Sequence, residues 1–325
     1  MEPIAVVFAG TFAASLETRV RAHLTLPSTV TAADESAVVA LMPEVDVLVT
    51  MAFSRAMGER AKRLKLVQVP GAGLDRIDRS ALPPGAALAN VYGHEVGIAE
   101  YVMGAMLTLT REFTRLDAAL RRGVWESQWG VGTAARPEPW PELAGRTLGI
   151  VGYGRIGQAL ARRARAFDMT VLAIRRDVTR PDPHALVRGP DALPDVLARA
   201  DYVAITASLN SETRGLIGGR ELAAMKPSAV LVNVSRAEIV DEAALYRALA
   251  DRTIAAAALD VWYRYPSAPG PTPPARQPFH GLPNVLMTPH VSGWTDGMME
   301  ARAQAIAGNI ERAARGEPPL NAIAG

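Results

Sequence analysis

The run Gly152-Tyr153-Gly154-Arg155-Ile156-Gly157 is a G-x-G-x-x-G motif standing where such a motif can hold a phosphate. It directly follows the strand-like segment Thr147 to Val151 and opens the helical segment Gln158 to Phe167. The glycines permit a tight turn and let a pyrophosphate approach the backbone, while the helix start offers N–H groups and the positive end of its dipole. A glycine-rich turn with no ligand is the plainer alternative, and the strand–turn–helix setting argues against it. The first half of the chain has only Gly10 after its opening strand, so the dinucleotide is expected in the second half alone.

Sites for NAD usually carry an acidic residue about 20 residues further on, which holds the ribose 2′-hydroxyl. This chain has Ile174-Arg175-Arg176 there. Two guanidinium groups can clamp a 2′-phosphate with charge-assisted hydrogen bonds, which favours NADP. If both arginines are solvated surface charges, Asp177 can serve the ribose instead, so NAD stays possible.

The whole chain of 325 residues carries 35 Lys+Arg against 33 Asp+Glu, a formal net charge of +2, which excludes a polycation built to bind nucleic acid. At 49% hydrophobic and 21% charged residues the composition is that of a globular protein, and the length suggests two domains. There is no cysteine, which removes disulfides, thiolate metal sites and cysteine nucleophiles together. The five histidines are scattered, so no metal site is expected. No stretch approaches the ~20 apolar residues of a membrane span, and the N-terminus lacks the basic flank of a leader. A soluble cytoplasmic protein with no membrane partner is expected.

Short β-branched runs alternate with segments of helical period, the pattern of α/β architecture with doubly wound parallel sheets. Strands are expected at Ile4–Phe8, Val45–Thr50 and Leu66–Val69, with helices at Leu16–Leu24 and Arg55–Arg63. Further strands are expected at Leu148–Val151, Thr170–Ile174, Tyr202–Thr206, Val230–Val234, Ala255–Val261 and Val285–Met287, before a final helix from Asp296 to Arg315. From Glu95 to Arg122 apolar residues recur at helical spacing over an unusual length, which predicts one long helix of the kind that serves a subunit interface. The stretch Arg122 to Pro141, with Trp125, Trp129 and Trp140, reads as an ordered arm.

Five motifs occur in order along the chain: Gly71-Ala72-Gly73-Leu74-Asp75-Arg76-Ile77-Asp78, Leu143-Ala144-Gly145-Arg146-Thr147 leading into the glycine turn, Val232-Asn233-Val234-Ser235-Arg236, Ala258-Leu259-Asp260-Val261, and Leu282-Pro283-Asn284-Val285 leading into Thr288-Pro289-His290. With them the chain resembles the D-isomer-specific 2-hydroxyacid dehydrogenases along nearly its whole length, and Arg175-Arg176 resembles the NADP-preferring glyoxylate and hydroxypyruvate reductase branch. The resemblance implies two Rossmann/flavodoxin-like domains, the cofactor domain inserted into the substrate domain. Residues 1–93 and 293–325 would form the substrate domain. Residues 94–292 would form the dinucleotide domain, including a long helix through which the chain forms a homodimer.

Reducing a 2-oxo acid requires an anchor for the carboxylate, polarisation of the ketone oxygen and a proton for the developing alkoxide. Arg236 suits the first two tasks, since its planar fork can bridge a carboxylate and a carbonyl. His290 suits the third, because imidazole titrates near neutral pH. A surface arginine and a buried structural histidine are the plain alternatives. By resemblance the backbone amides of Ala72 and Gly73 hold the substrate carboxylate. Ile156, Ala207, Ser208, Thr213, Val234 and Gly293 surround the cofactor, and Asp260 contacts the nicotinamide amide, with a loop-holding role as its alternative. Ser208 stands where many relatives have proline. Met51, Phe53 and Trp294 line the substrate side or else belong to the core.

One position departs from the family pattern. Where a glutamate normally pairs with the histidine, this chain has Tyr265, 29 positions after Arg236. A phenol can orient an imidazole by hydrogen bonding, but being neutral it cannot raise its pKa as a carboxylate would. Glu95, Glu238 and Asp296 are the carboxylates that could supply the missing charge. Two other functions are compatible with the substitution: a dinucleotide-sensing protein in which chemistry is secondary, and a dehydrogenase of a small oxyanion such as formate or phosphite.

Overall fold

The structure, a computed structural model, describes residues 3–34, 36–128 and 138–323. Trp129, in the expected arm, lies outside the described residues. The chain divides into two compact units, Met1–His94 with Trp294–Gly325 and Glu95–Gly293.

In unit 1 the chain runs β1 (Ile4–Ala9), α1 (Thr11–His23), β2 (Ser28–Ala33), α2 (Val38–Leu41), β3 (Val47–Thr50), α3 (Arg55–Arg60), β4 (Leu66–Gln68) and β5 (Ala87–Ala89). These strands form a parallel sheet in the order β2-β1-β3-β4-β5. Every residue of β3 and β4 is buried, as continuous apolar runs in a parallel sheet covered on both faces should be. The edge strand β2, Ser-Thr-Val-Thr-Ala-Ala, is partly exposed along its length and lacks the apolar run that reveals the central strands.

Unit 2 opens with α4 (Glu95–Thr110) and α5 (Phe113–Arg121), followed by β6 (Thr147–Val151), α6 (Arg155–Ala166), β7 (Thr170–Ile174), β8 (Leu186–Arg188), α7 (Leu193–Arg199), β9 (Tyr202–Ile205), α8 (Gly219–Ala224), β10 (Val230–Asn233), α9 (Glu242–Ala250), β11 (Ala256–Leu259) and β12 (Val285–Met287). Its seven strands are parallel in the order β12-β11-β10-β9-β6-β7-β8. The chain then returns to unit 1 in α10 (Asp296–Ala314), which packs against α1.

The single long helix expected over 95–122 is two helices. Glu112 takes a left-handed conformation, φ 51°, which turns the chain out of α4. Its carboxylate accepts from Arg115 at 2.6 Å and from the Trp140 indole N–H at 3.3 Å, fixing the bend. The apolar spacing ran through the break because α5 starts a new face of its own, and periodicity carries no mark of such a corner.

Both units use the same device where their central strands begin. Asp46, buried just before β3, accepts the Ala5 N–H of β1 at 3.0 Å and is flanked by Arg63 and Lys65 at 3.3 and 3.4 Å. Asp201, just before β9, accepts the Thr147 N–H of β6 at 2.8 Å, with Lys226 at 2.8 Å and Arg146 at 3.8 Å. Burial raises the Asp201 pKa, but the Lys226 bond, the Thr147 amide and the two cations outweigh it and leave the carboxyl below its ordinary value. A depressed folded-state pKa contributes stability above the unfolded-state value, and that contribution is lost as pH falls through the folded one. Asp201→Asn should therefore cost about 2 kcal/mol at neutral pH. The difference in thermal midpoint from the parent should shrink as the pH is taken below about 4, and a difference constant with pH would refute the linkage.

Candidate active site

In unit 2 the strand order reverses between β6 and β9, the kind of switch point where open α/β sheets bind ligands beyond the carboxyl ends of their strands. The turns after β6 and β9 meet there. The Thr206 hydroxyl donates to the Gly152 carbonyl at 2.7 Å, and a Cβ built on Gly152, φ 100°, would stand 2.3 Å from the Ala207 backbone. At Gly154, by contrast, a Cβ would meet nothing within 4 Å. Gly154 is the N-cap of α6, and no side chain caps that helix start. A turn closed tightly beneath and open above the helix start fits a dinucleotide pyrophosphate. Arg155 is exposed and Ile156 half-buried at this helix start, and Gly157 is buried, where an added Cβ would stand 3.2 Å from the Ile150 and Tyr153 side chains.

Around this turn, Ala207 is half-buried and its carbonyl accepts the Ser235 hydroxyl. The exposed Ser208 gives its carbonyl to the Thr213 hydroxyl at 2.7 Å, and Val234 is buried after β10. Arg175 follows β7 with its guanidinium folded back on the Asp177 and Arg180 carbonyls and 5.9 Å from the Tyr153 ring centre. Arg176 extends into solvent, 3.6 Å from Glu212. The two arginines thus differ in freedom, which their adjacency in sequence does not show.

Arg236 follows β10 in a turn organised by Asn233, whose Nδ2 donates to the Arg236 carbonyl at 3.1 Å and whose Oδ1 accepts the Ser235 N–H at 3.1 Å. The guanidinium donates to the Ser235 carbonyl at 2.9 Å. His290 follows β12 with φ 60°, a left-handed conformation uncommon outside glycine. Asp260, fully buried at the end of β11, imposes it. Its carboxylate accepts the Thr288 hydroxyl at 2.6 Å, the Val291 N–H at 2.8 Å and the Ser292 N–H at 2.8 Å, taking hold of the loop on both sides of the histidine. With its proton given to Asp260, the Thr288 hydroxyl accepts from Tyr101 of α4 at 2.6 Å, and the Trp262 indole donates to the Thr288 carbonyl at 2.8 Å.

Tyr265 meets His290: its phenol oxygen lies 2.8 Å from Nδ1. Desolvation by the surrounding protein pushes the imidazole pKa down, the Asp260 carboxylate opposes this, and the Arg236 guanidinium adds to it. The net result is an imidazole below its ordinary pKa. The carboxylate that acts on the histidine in this unit is Asp260, a residue outside the set Glu95, Glu238 and Asp296 that the sequence suggests. Asn233 and Thr288 stand in the motifs without an assigned role, and Tyr101 and Trp262 lie outside them. Only Asn233 carries a local signal, an Asn two residues before the amide it caps.

In unit 1 the loop after β4 is held by Asn90, whose Nδ2 donates to the Ala72 carbonyl at 3.0 Å. Ala72 and Gly73 are half-buried, and the half-buried Met51 thioether lies beside Gly71. Phe53 is 1% exposed and packs with Met57 and Ile77 in the core, so it takes the core alternative. Trp294, 54% exposed, stacks at a tilt on Phe12 with ring centres 5.9 Å apart. Gly293 is half-buried at the end of unit 2.

A dinucleotide cradle at the switch point, with an arginine after β10 and a histidine after β12, the strands on either side of β11, defines an α/β oxidoreductase that uses NAD(P). The NAD-binding domain model of the D-isomer-specific 2-hydroxyacid dehydrogenases matches residues 103–292, and the chain belongs to that family. A glyoxylate reductase of Pyrococcus furiosus is 36% identical over 286 residues, covering 85% of this chain and 81% of that protein. A D-3-phosphoglycerate dehydrogenase of Methanocaldococcus jannaschii is 33% identical over 286 residues, 86% of this chain but 52% of that protein, so the chain spans about half the length of this relative. A D-isomer-specific 2-hydroxyacid dehydrogenase from Xanthobacter autotrophicus, solved with NADPH, superposes with a TM-score of 0.79 at 26% identity, over 100% of this chain and 98% of that one. Among the described residues no helix is long and apolar enough to cross a membrane, and no group of His, Asp and Glu could hold a metal ion.

Proposed function

We propose that the chain reduces a small 2-oxo acid to the D-2-hydroxy acid with NADPH and carries out the reverse oxidation. The observation that carries this reading is the placement of Arg236 after β10 and of His290, locked in a left-handed turn, after β12, both at the carboxyl edge of the sheet that bears the dinucleotide cradle. When bound, the dinucleotide supplies hydride to the ketone carbon. Arg236 anchors the carboxylate and draws charge onto the ketone oxygen, and His290 delivers the proton that oxygen needs. We assign further carboxylate binding to the Ala72 and Gly73 amides, and the 2′-phosphate of NADPH to Arg176, whose side chain is 71% exposed.

Phe113, Leu120 and Trp125 are each more than half exposed on and just after α5, an apolar surface we assign to a second copy of the chain. A cytoplasmic setting, with its supply of reduced dinucleotide, fits this chemistry. The test is NADPH consumption by the purified protein against 2-oxo acids from glyoxylate and hydroxypyruvate to phenylpyruvate, with the product's configuration determined. Formation of a D-2-hydroxy acid is the expected result. NADPH binding without reduction of any compound on the panel would overturn the reading.

A further inference from the structure

The protons around His290 do not suit an imidazolium donor. Burial and the nearby Arg236 charge both favour the neutral ring, and the opposing Asp260 carboxylate does not restore the balance. A neutral imidazole can give up its Nε2 proton to an alkoxide only if another proton reaches Nδ1 in the same event. The group at Nδ1 is the Tyr265 phenol, at 2.8 Å. Its oxygen already accepts the Trp262 backbone N–H at 3.3 Å, which leaves its one proton available to Nδ1. With the phenol donating to Nδ1, neutral His290 is the Nε2–H tautomer, with hydrogen on the nitrogen turned away from the tyrosine.

We propose that Tyr265 and His290 form a proton relay, in which the imidazole passes its Nε2 proton to the nascent alkoxide while taking the phenol proton of Tyr265 on Nδ1. The inference rests on the reductase reading for the identity of the acceptor. The Nε2–H and phenol O–H bonds break, the product O–H and the Nδ1–H bonds form, and the imidazole is neutral before and after. The transfer runs downhill because an alkoxide is a stronger base than a phenolate. The cycle resets when the Nδ1 proton returns to the phenolate and water protonates Nε2, and the 50% exposure of Tyr265 lets water reach the pair. Burial raises the phenol pKa, the Trp262 N–H and Arg236 lower it, and Asp260 and Glu238 raise it again. Arg236 and the Trp262 amide are thus the groups that stabilise the transient phenolate.

A relay frees reduction from the population of imidazolium, and Tyr265→Phe restores that dependence. In the parent, kcat for reduction should stay nearly level from about pH 6 to about pH 8. In Tyr265→Phe it should fall about tenfold for each pH unit above the histidine pKa. Tyr265→Glu should move the break to higher pH, since a carboxylate stabilises imidazolium. A Tyr265→Phe profile that follows the parent would overturn the relay.

A second readout needs no turnover. Nitrogen-15 spectra of the histidine side chains in the full chain, with His290 identified by its loss in His290→Asn, should show Nδ1 unprotonated and Nε2 protonated at neutral pH. An Nδ1–H tautomer or an imidazolium there overturns the relay whatever the substrate. The Nε2–H tautomer together with no reduction of any 2-oxo acid would instead overturn the reductase reading, and the relay with it as a catalytic step.

Discussion

Arg236→Ala is expected to lower kcat/KM for a 2-oxo acid by about 10³-fold or more while leaving NADPH affinity within about threefold of the parent. The size follows from the two tasks placed on one guanidinium, since removing a single preorganised donor to a developing oxyanion typically costs about 10²- to 10³-fold. The selectivity follows from the turn. Its shape depends on the Asn233 side chain, which binds the Ser235 N–H and the Arg236 carbonyl, so truncation of the arginine leaves the backbone in place. Arg236→Lys should recover little, because an ammonium cannot bridge two oxygens in one plane. The same truncation removes a charge that lowers the His290 pKa, so the imidazole should titrate at higher pH in the variant. Loss of NADPH binding in step with activity would contradict the assigned role.

His290→Asn should reduce kcat by about 10²- to 10⁴-fold with little change in KM. Asparagine is the suitable probe because the position has φ 60°, which Asn tolerates better than other non-glycine residues. The loop is held by Asp260 through Thr288, Val291 and Ser292, none of which is altered. A thermal midpoint near that of the parent, combined with the loss of rate, would separate proton delivery from loop integrity. Retention of more than about a tenth of the parental kcat would remove the histidine from the proton path.

Much of this arrangement was legible in the residue string because its carriers are local. The glycine turn announces itself between a strand and a helix, and the central strands of both sheets are continuous apolar runs such as Val230 to Val232 and Val47 to Val49. The pairing of Tyr265 with His290 was readable as a departure at a known slot, and the structure supplies its 2.8 Å geometry. What was hidden is of another kind. Edge strands β2 and β8 bury too little to show an apolar pattern. The bend at Glu112 depends on one residue's left-handed backbone, to which side-chain spacing is blind. The chain from Tyr101 through Thr288 to Asp260 joins residues up to 187 positions apart, and only the fold brings them together. Arg175 and Arg176 read as equivalent until the backbone carbonyls of Asp177 and Arg180 claim one of them.

The two glycines that open the dinucleotide turn answer to different masters. At position 152 any side chain would collide with the Ala207 backbone and would also be strained at φ 100°, so the folded chain itself forbids it. At position 154 the backbone is extended and the space above it is empty, so the fold alone would accept a side chain. A descendant lineage that gave up its nucleotide would be free to lose the second glycine and bound to keep the first. Drift at position 154 with constancy at 152 is therefore the mark by which a lapsed member of this lineage could be told from a working one.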